Sequence, residues 1–176
     1  IFTATWTRFV ISDDAGATWR EVTVAPDPPD TSLRQFVIAV SPSYATDRTV
    51  LLGTRQGDIY RSDGGGEADT WEAISNVGAR VRSLVPSPEF SATGEIYAAT
   101  EAGVRHSLDG GVTWKATGPQ GTAHLAVSPD YPTDGTAFAG TAGGVFVTRD
   151  GGGRWVPVAV ATGTAVERVE AIAAID

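Results

Sequence analysis

One pattern, Ser-x-Asp-x-Gly-x-Thr-Trp, recurs along the chain and constrains its fold more than any other feature. It is complete at Ser12–Trp19 and at Ser107–Trp114. A third copy, Thr148–Trp155, has Thr in place of the first Ser and Arg in place of the later Thr. A fourth copy, Ser62–Trp71, carries extra residues before its Thr-Trp pair. Four copies in 176 residues indicate a repeat protein in which each copy belongs to one supersecondary unit.

The residue types in the pattern are those of a turn between two strands. An Asp side chain can accept hydrogen bonds from backbone N–H groups of a turn, and Gly reaches a positive φ without strain. The Trp that follows offers a large apolar surface to a neighbouring layer. We therefore expect structural roles for the residues that define the four copies: Ser12, Asp14, Gly16, Trp19, Asp63, Trp71, Ser107, Asp109, Gly111, Trp114, Asp150, Gly152 and Trp155.

The segments between these copies also repeat. A Ser-Pro-x-aromatic segment places Tyr44, Phe90 and Tyr131 at matching positions, where we expect each ring to fill a structural gap. Asp47 and Asp134 follow in the same segment and are expected to cap it. No segment has to be helical, and short apolar runs such as 36–40 are typical of strands packed on both faces.

The distances between the four tryptophans, 52, 43 and 41 residues, match a propeller blade of four short strands. The predicted fold class is all-β: a β-propeller, or part of one, with about four blades of four antiparallel strands. The predicted blades are residues 1–24, 33–75, 80–117 and 122–160. Residues 166–176 are predicted to supply a first strand, either closing the first blade or belonging to a ring that missing blades or a second copy complete.

The four copies resemble Asp-box repeats, also called BNR repeats. That family includes sialidases, sortilin-type receptors, xyloglucan-cleaving glycosidases and the assembly factor of photosystem II. In the family, the box is the turn between the third and fourth strands of a propeller blade. The resemblance covers essentially the whole chain, and it implies a protein or glycan partner and an extracellular or cell-envelope location.

Charge and composition exclude several other classes. The net charge of −8 argues against a nucleic-acid partner, and no apolar run is long enough for membrane insertion. The chain has no cysteine, so disulfides and thiol chemistry are excluded. No motif implies a cofactor.

No catalytic or metal-binding set stands out. Glycosidases need two carboxylates about 5 to 10 Å apart, and nothing in the sequence marks two of Asp58, Glu95 and Glu101 as such a pair. His106 and His124 lack metal-ligand spacing and are interpreted as ordinary strand residues.

Binding residues are predicted where the repeat varies. The connection between second and third strands contains Trp6, Arg8, Arg55 and Glu101 at positions where other copies have small residues. Loops on a rigid scaffold often bind partners, and Trp and Arg are common interface anchors; Trp6 could equally cover the core near the terminus. The sequence thus favours a non-enzymatic binding module. The alternative is a fragment of a glycosidase or sialidase-like enzyme whose catalytic residues lie elsewhere.

Overall fold

Four antiparallel sheets follow one another along the chain in the computed structural model, which describes residues 1–4, 9–24 and 36–158. In each sheet, consecutive strands are neighbours. The first sheet contains β1 (Phe2–Ala4), β2 (Phe9–Ile11) and β3 (Arg20–Val22), and the second contains β4 (Val37–Val40), β5 (Val50–Gly53), β6 (Asp58–Ser62) and β7 (Trp71–Asn76). The third contains β8 (Val81–Pro86), β9 (Ile96–Thr100), β10 (Gly103–Ser107) and β11 (Lys115–Ala116), and the fourth contains β12 (Thr122–Val127), β13 (Thr136–Thr141), β14 (Gly144–Arg149) and β15 (Val156–Pro157).

The predicted all-β propeller class is confirmed, with each described sheet built as a propeller blade. The structure adds one feature that the sequence analysis treated as loop. Each Ser-Pro-x-aromatic segment forms a single helical turn: α1 (Tyr44–Asp47), α2 (Phe90–Thr93) and α3 (Tyr131–Asp134). A helix of one turn is too short to produce a hydrophobic period, so the sequence pattern gives no sign of it. No helix in the described part of the chain is long and apolar enough to cross a membrane.

The cap expected at these segments is present in two of them. In the segment that contains α1, the Ser41 hydroxyl donates to Asp47, whose other oxygen accepts from the Thr49 amide at 3.0 Å. In the segment that contains α3, the Ser128 hydroxyl donates to Asp134 at 2.8 Å, and the Thr136 amide donates to the same carboxylate at 2.7 Å. Each carboxylate therefore joins the start of its helical turn to the strand that follows.

The core lies between the sheets, in three hydrophobic clusters. The first joins the first and second sheets through side chains that include Phe9, Ile11, Leu52 and Trp71. The second joins the second and third sheets, and the third joins the third and fourth. Because every cluster takes side chains from two consecutive sheets, each sheet is buried by its neighbours.

The strand order places the connections at two opposite ends of each sheet. One end, which we call the turn face, carries the repeat turns at 12–19, 62–71, 107–114 and 148–155 together with α1, α2 and α3. The other end, which we call the link face, carries the hairpin turns at 54–57 and 101–103 and the links between sheets at 77–80 and 117–121. The two faces are about one strand length apart.

Candidate functional site

The repeat turn at 107–114 is held together by one carboxylate and one hydroxyl. Asp109 Oδ1 accepts hydrogen bonds from the amides of Val112 and Thr113, at 3.1 and 2.8 Å, and Oδ2 accepts from the Thr113 hydroxyl. The Ser107 hydroxyl donates to Asp109 at 2.7 Å and accepts from the Gly111 amide at 3.0 Å. These contacts occupy the acceptor sites of the carboxylate within its own turn.

The first repeat turn has the same arrangement. Asp14 accepts from the hydroxyl of Ser12 at 2.9 Å and from the amide of Thr18 at 2.8 Å. Hydrogen bonds to the charged form lower the pKa of Asp14 to about 2, led by the bonds from Thr18. The pKa of Asp109 is likewise lowered to about 2, led by the bonds from Thr113. Both carboxylates are therefore fully ionised at neutral pH.

The other two copies vary this arrangement. Asp150 accepts from the Thr148 hydroxyl at 2.7 Å and the Arg154 amide at 2.9 Å, which lower its pKa. Asp63, predicted to act in the same way, is placed differently. Its carboxylate accepts from the Thr49 hydroxyl at 2.9 Å and from Arg61 at 2.8 Å, while Ser62 bonds to Thr70.

The position of Asp63 within its copy explains the difference. Relative to Ser62, the position that corresponds to Asp109 is Gly64, so no carboxylate stands where the turn amides would meet it. The turn still places Trp71 as the others place their Trp: its indole N–H donates to the Gly66 carbonyl at 3.0 Å. The equivalent distances are 3.1 Å for Trp19 and 2.8 Å for Trp114.

A polar network between the third and fourth sheets was missed by the sequence analysis. The Tyr131 hydroxyl donates to Glu95 at 2.6 Å, and His106 Nε2 lies 2.8 Å from the same oxygen. The Tyr97 hydroxyl lies 2.6 Å from that of Tyr131, and the Tyr97 ring stacks on His106 at 4.2 Å. Tyr131 belongs to a repeated residue type, whereas Glu95 and His106 do not, so the sequence carried little signal for the network.

The network joins a tyrosine to a glutamate, yet its environment is unsuited to nucleophilic chemistry by the tyrosine. Tyr131 is 5% exposed and Tyr97 is fully buried. Burial raises the pKa of both phenols well above the usual value, so both hydroxyls stay protonated at neutral pH. A protonated phenol without access to solvent is a poor nucleophile, and the network acts as a hydrogen-bonded core element.

At the link face, the structure brings two of the predicted binding residues to the same link. The Val81 amide donates to the Thr54 carbonyl at 3.0 Å, which ties the turn carrying Arg55 to the link at 77–80. The Glu101 amide donates to the Arg80 carbonyl at 3.2 Å, which ties the next turn to the same link. Arg55 and Glu101 therefore flank a single stretch of backbone.

Two arginines that the sequence analysis did not single out stand between them. Arg82 Nη2 lies 2.9 Å from Glu101 Oε1, and Arg80 Nη1 lies 3.8 Å from the same oxygen. Half of the Glu101 side chain is exposed, and surface pairs of this kind are worth about 0–1 kcal/mol. Glu101 thus holds two guanidinium groups near the surface by weak, exchangeable contacts.

Arg55 is an exposed member of this group. Its side chain is exposed and makes no hydrogen bond or ion pair with any residue that the structure describes. The other two predicted binding residues, Trp6 and Arg8, lie outside the described residues. We call the described set, Arg55, Arg80, Arg82 and Glu101, the link-face arginine cluster.

Residues 1–4, 9–24 and 36–158 contain no group of three or more His, Asp or Glu side chains that could hold a metal ion. Asp58 accepts from Asn76 at 2.7 Å and bonds to Thr54 at 3.2 Å at the link face, whereas Glu95 lies at the turn face. Glu95 precedes β9 and Glu101 follows it, which places their backbones about 20 Å apart.

No family model matches the chain, and neither does any curated protein. Among solved structures, an ancestral GH74 enzyme is similar with a TM-score of 0.67 and 18% identity, over 91% of this chain and 22% of that one. YCF48 bound to D1 peptide is similar with a TM-score of 0.57 and 20% identity, over 91% of this chain and 47% of that one.

A third similar structure is the extracellular domain of a one-component system from B. thetaiotaomicron. Its TM-score is 0.63 at 13% identity, over 97% of this chain and 22% of that one. The chain thus spans less than half the length of each of these three proteins. At these identities the likeness concerns the backbone and not the chemistry of any site. The chain therefore has the β-propeller fold that these proteins share.

Proposed function

We propose that the chain is a non-enzymatic binding module of the Asp-box propeller type that recognises a protein partner through its link face. The observation that carries the proposal is the link-face arginine cluster. It gathers Arg55, Arg80 and Arg82 at one end of a chain whose net charge is −8. A local excess of guanidinium groups on an acidic protein marks a surface suited to carboxylates.

The distribution of the carboxylates also supports the link face as the binding surface. Asp14, Asp109 and Asp150 lie in repeat turns at the turn face, where their own turns satisfy them. At the link face, Arg82 donates a hydrogen bond to Glu101 and Arg80 lies 3.8 Å from the same oxygen, and both contacts are weak enough to exchange. A carboxylate of the partner could therefore replace Glu101 and accept two parallel hydrogen bonds from one of these guanidinium groups. In this proposal Glu101 positions the arginines, and Arg55 is the anchor.

The partner class is protein, with a glycan as the other class that the family resemblance implies. One of the similar proteins is described with a bound peptide and another as an extracellular domain. We extend the proposal to an extracellular or cell-envelope location. Trp6 and Arg8 belong to the proposed surface by their position in the repeat.

The alternative, a fragment of a glycosidase, gains no support from the described carboxylates. A glycosidase of the retaining or inverting type needs two of them about 5 to 10 Å apart. Glu95 and Glu101 are separated by the length of β9, and Glu95 is bound to Tyr131 and His106. Asp58 is occupied by Asn76 and Thr54.

The test is a quantitative pull-down from a cell-envelope extract with the 176-residue chain as bait. The double variant Trp6→Ala/Arg55→Ala should lose at least one partner by about tenfold, while its melting temperature stays close to that of the parent chain. Arg48→Ala/Arg149→Ala is the matched control, because both of these arginines are exposed at the turn face. If the parent chain, the double variant and the control variant captured the same proteins in the same amounts, the proposal would be wrong.

A further inference from the structure

A pocket lies at the turn face between the second and third sheets, and we call it the turn-face pocket. Its volume is about 200 Å³. Its lining includes Asp47, Thr49 and Arg61 from the second sheet and its helical turn, and Phe90 and Gly110 from the third. A cavity of about 150 Å³ is enough for benzene, so this pocket has room for a molecule of about six to eight heavy atoms.

The pocket occupies the place that the polar network fills between the third and fourth sheets. Three of its positions correspond, by count along the repeat, to members of that network: Thr49 to Glu95, Arg61 to His106 and Phe90 to Tyr131. In the network, the Tyr131 hydroxyl and His106 both contact the Glu95 carboxylate, so the three side chains satisfy one another. Thr49 carries no carboxylate and Phe90 no hydroxyl, so the same bonds cannot form between the second and third sheets.

Within the described residues, Arg61 uses only one of its five N–H donors. Its Nε donates to Asp63 at 2.8 Å, and its guanidinium lies over the Phe90 ring, 5.9 Å from the centroid. A Cβ atom at Gly110 would overlap Nη1, so the guanidinium lies directly against the Gly110 backbone. The N–H groups on Nη1 and Nη2 are therefore held at the pocket with no acceptor from the described part of the chain.

Asp47 is a second group with unused hydrogen-bonding capacity. Each of its oxygens accepts one bond, from the Ser41 hydroxyl and from the Thr49 amide. A carboxylate has about four lone-pair sites, so about two remain for a ligand. Asp109, which also lines the pocket, differs in that its acceptor sites are occupied within its own turn.

The two groups with unused capacity carry opposite charges and form no ion pair with each other. Thr49 connects them, because its amide donates to Asp47 and its hydroxyl to Asp63, which is bonded to Arg61. An anionic ligand would meet the carboxylates of Asp47, Asp63 and Asp109 as well as the guanidinium, and a cationic ligand would be repelled by Arg61. A ligand with one charge of each sign gains a charge-assisted bond at both groups and adds no net charge.

A neutral sugar is another class that mixed donors and acceptors could bind. A sugar ring gains affinity when its C–H face covers an exposed aromatic ring. Phe90 is 3% exposed, and the Arg61 guanidinium already lies over it. The turn-face pocket therefore favours a zwitterion over a sugar.

We propose that the turn-face pocket binds a small α-amino acid, whose carboxylate accepts from the Nη groups of Arg61 and whose ammonium group donates to Asp47. Both groups of an amino acid are charged at neutral pH. Alanine has six heavy atoms and serine has seven, which suits a pocket of about 200 Å³. The site is at the opposite end of the sheets from the link face, so it is independent of the partner proposed there.

An NMR titration of the 176-residue chain with alanine and with serine at neutral pH tests the proposal. We expect at least one of them to shift the amide signals of Gly94 and Gly110, which line the pocket. Arg61→Gln and Asp47→Asn should each weaken binding by at least about tenfold, since each removes a charge-assisted bond.

Arg48→Gln is the matched control for these variants. Arg48 is exposed at the same face, where its guanidinium lies over the Tyr44 ring at 4.8 Å from the centroid, and it does not line the pocket. Its removal should leave the affinity unchanged. No binding of either amino acid, or equal weakening by all three variants, would overturn the proposal.

Altered amino acids test the two contacts without any change to the protein. Alanine methyl ester lacks the carboxylate charge, and N-acetylalanine lacks the ammonium group. Each should bind at least about tenfold more weakly than alanine, and glucose should leave the signals of Gly94 and Gly110 in place. If either derivative bound as tightly as alanine, or if glucose bound more tightly, the pocket would not be a zwitterion site.

Discussion

At the residue scale, the repeat turns depend on carboxylates that are satisfied by their own backbone. Asp109 accepts from two amides and two hydroxyls within a few residues of itself. Its folded pKa of about 2 lies below the unfolded value near 3.9, so its stabilising contribution is complete above about pH 4. That contribution is lost as the pH falls through the folded pKa.

We expect Asp109→Asn to lower the free energy of unfolding by about 1 kcal/mol at pH 7, since some turn donors then lose their charged acceptor. Urea unfolding at a series of pH values between 2 and 5 measures the effect. The difference between the parent chain and the variant should shrink as the pH falls from about 4 to about 2. A difference that stays constant over this range would show that the carboxylate charge does not stabilise the turn.

The residue pattern predicted some of these contacts and missed others. Asp14 and Asp109 stand at the correct distance from their Ser and Gly, so turn chemistry alone predicts their position. Asp63 carries the same residue type, yet it stands one position earlier relative to Ser62 than Asp109 does relative to Ser107, and its carboxylate bonds to Thr49 and Arg61. His106 was interpreted as an ordinary strand residue because its partners Glu95 and Tyr131 come from other parts of the repeat.

At the element scale, each repeat turn positions a tryptophan that joins two sheets. Trp71 is 7% exposed and meets Phe9 of the first sheet edge-to-face, with 5.2 Å between ring centroids. The junction therefore depends on a side chain that belongs to one sheet and packs on another.

Trp71→Ala should lower the free energy of unfolding by about 3–5 kcal/mol, because it leaves a cavity between two sheets. Leu108→Ala is the control: Leu108 is 66% exposed in another repeat turn and should change stability by no more than about 0.5 kcal/mol. Thermal and urea unfolding of both variants provide the comparison. Similar values for the two would mean that the tryptophan does not hold the junction.

The strands were predictable because their apolar runs and turn residues recur with the same order in every unit. The one-turn helices were not, since four residues such as Phe90–Thr93 contain no period. Their ends are nevertheless simple to explain. Gly94 and Gly135 follow α2 and α3 with positive φ, which is a common way to end a helix.

At the scale of the whole molecule, the two ends of the sheets have different chemistry. The turn face carries carboxylates that are bound within their own turns, and the link face carries guanidinium groups held by exchangeable contacts. The sequence indicated Arg55 and Glu101 because they vary within the repeat. It did not indicate Arg80 and Arg82, because only the folded link shows that they flank Val81 beside both turns.

The central claim is that a partner binds the link face, and hydrogen exchange on a captured complex tests it most directly. The 176-residue chain would be compared alone and bound to the partner that the double variant loses. The account predicts slower exchange in the amides of residues 54–57, 77–82 and 101–103, with the repeat turns at 62–71 and 107–114 unchanged. Slower exchange at the repeat turns with no change around Arg55 and Glu101 would contradict it.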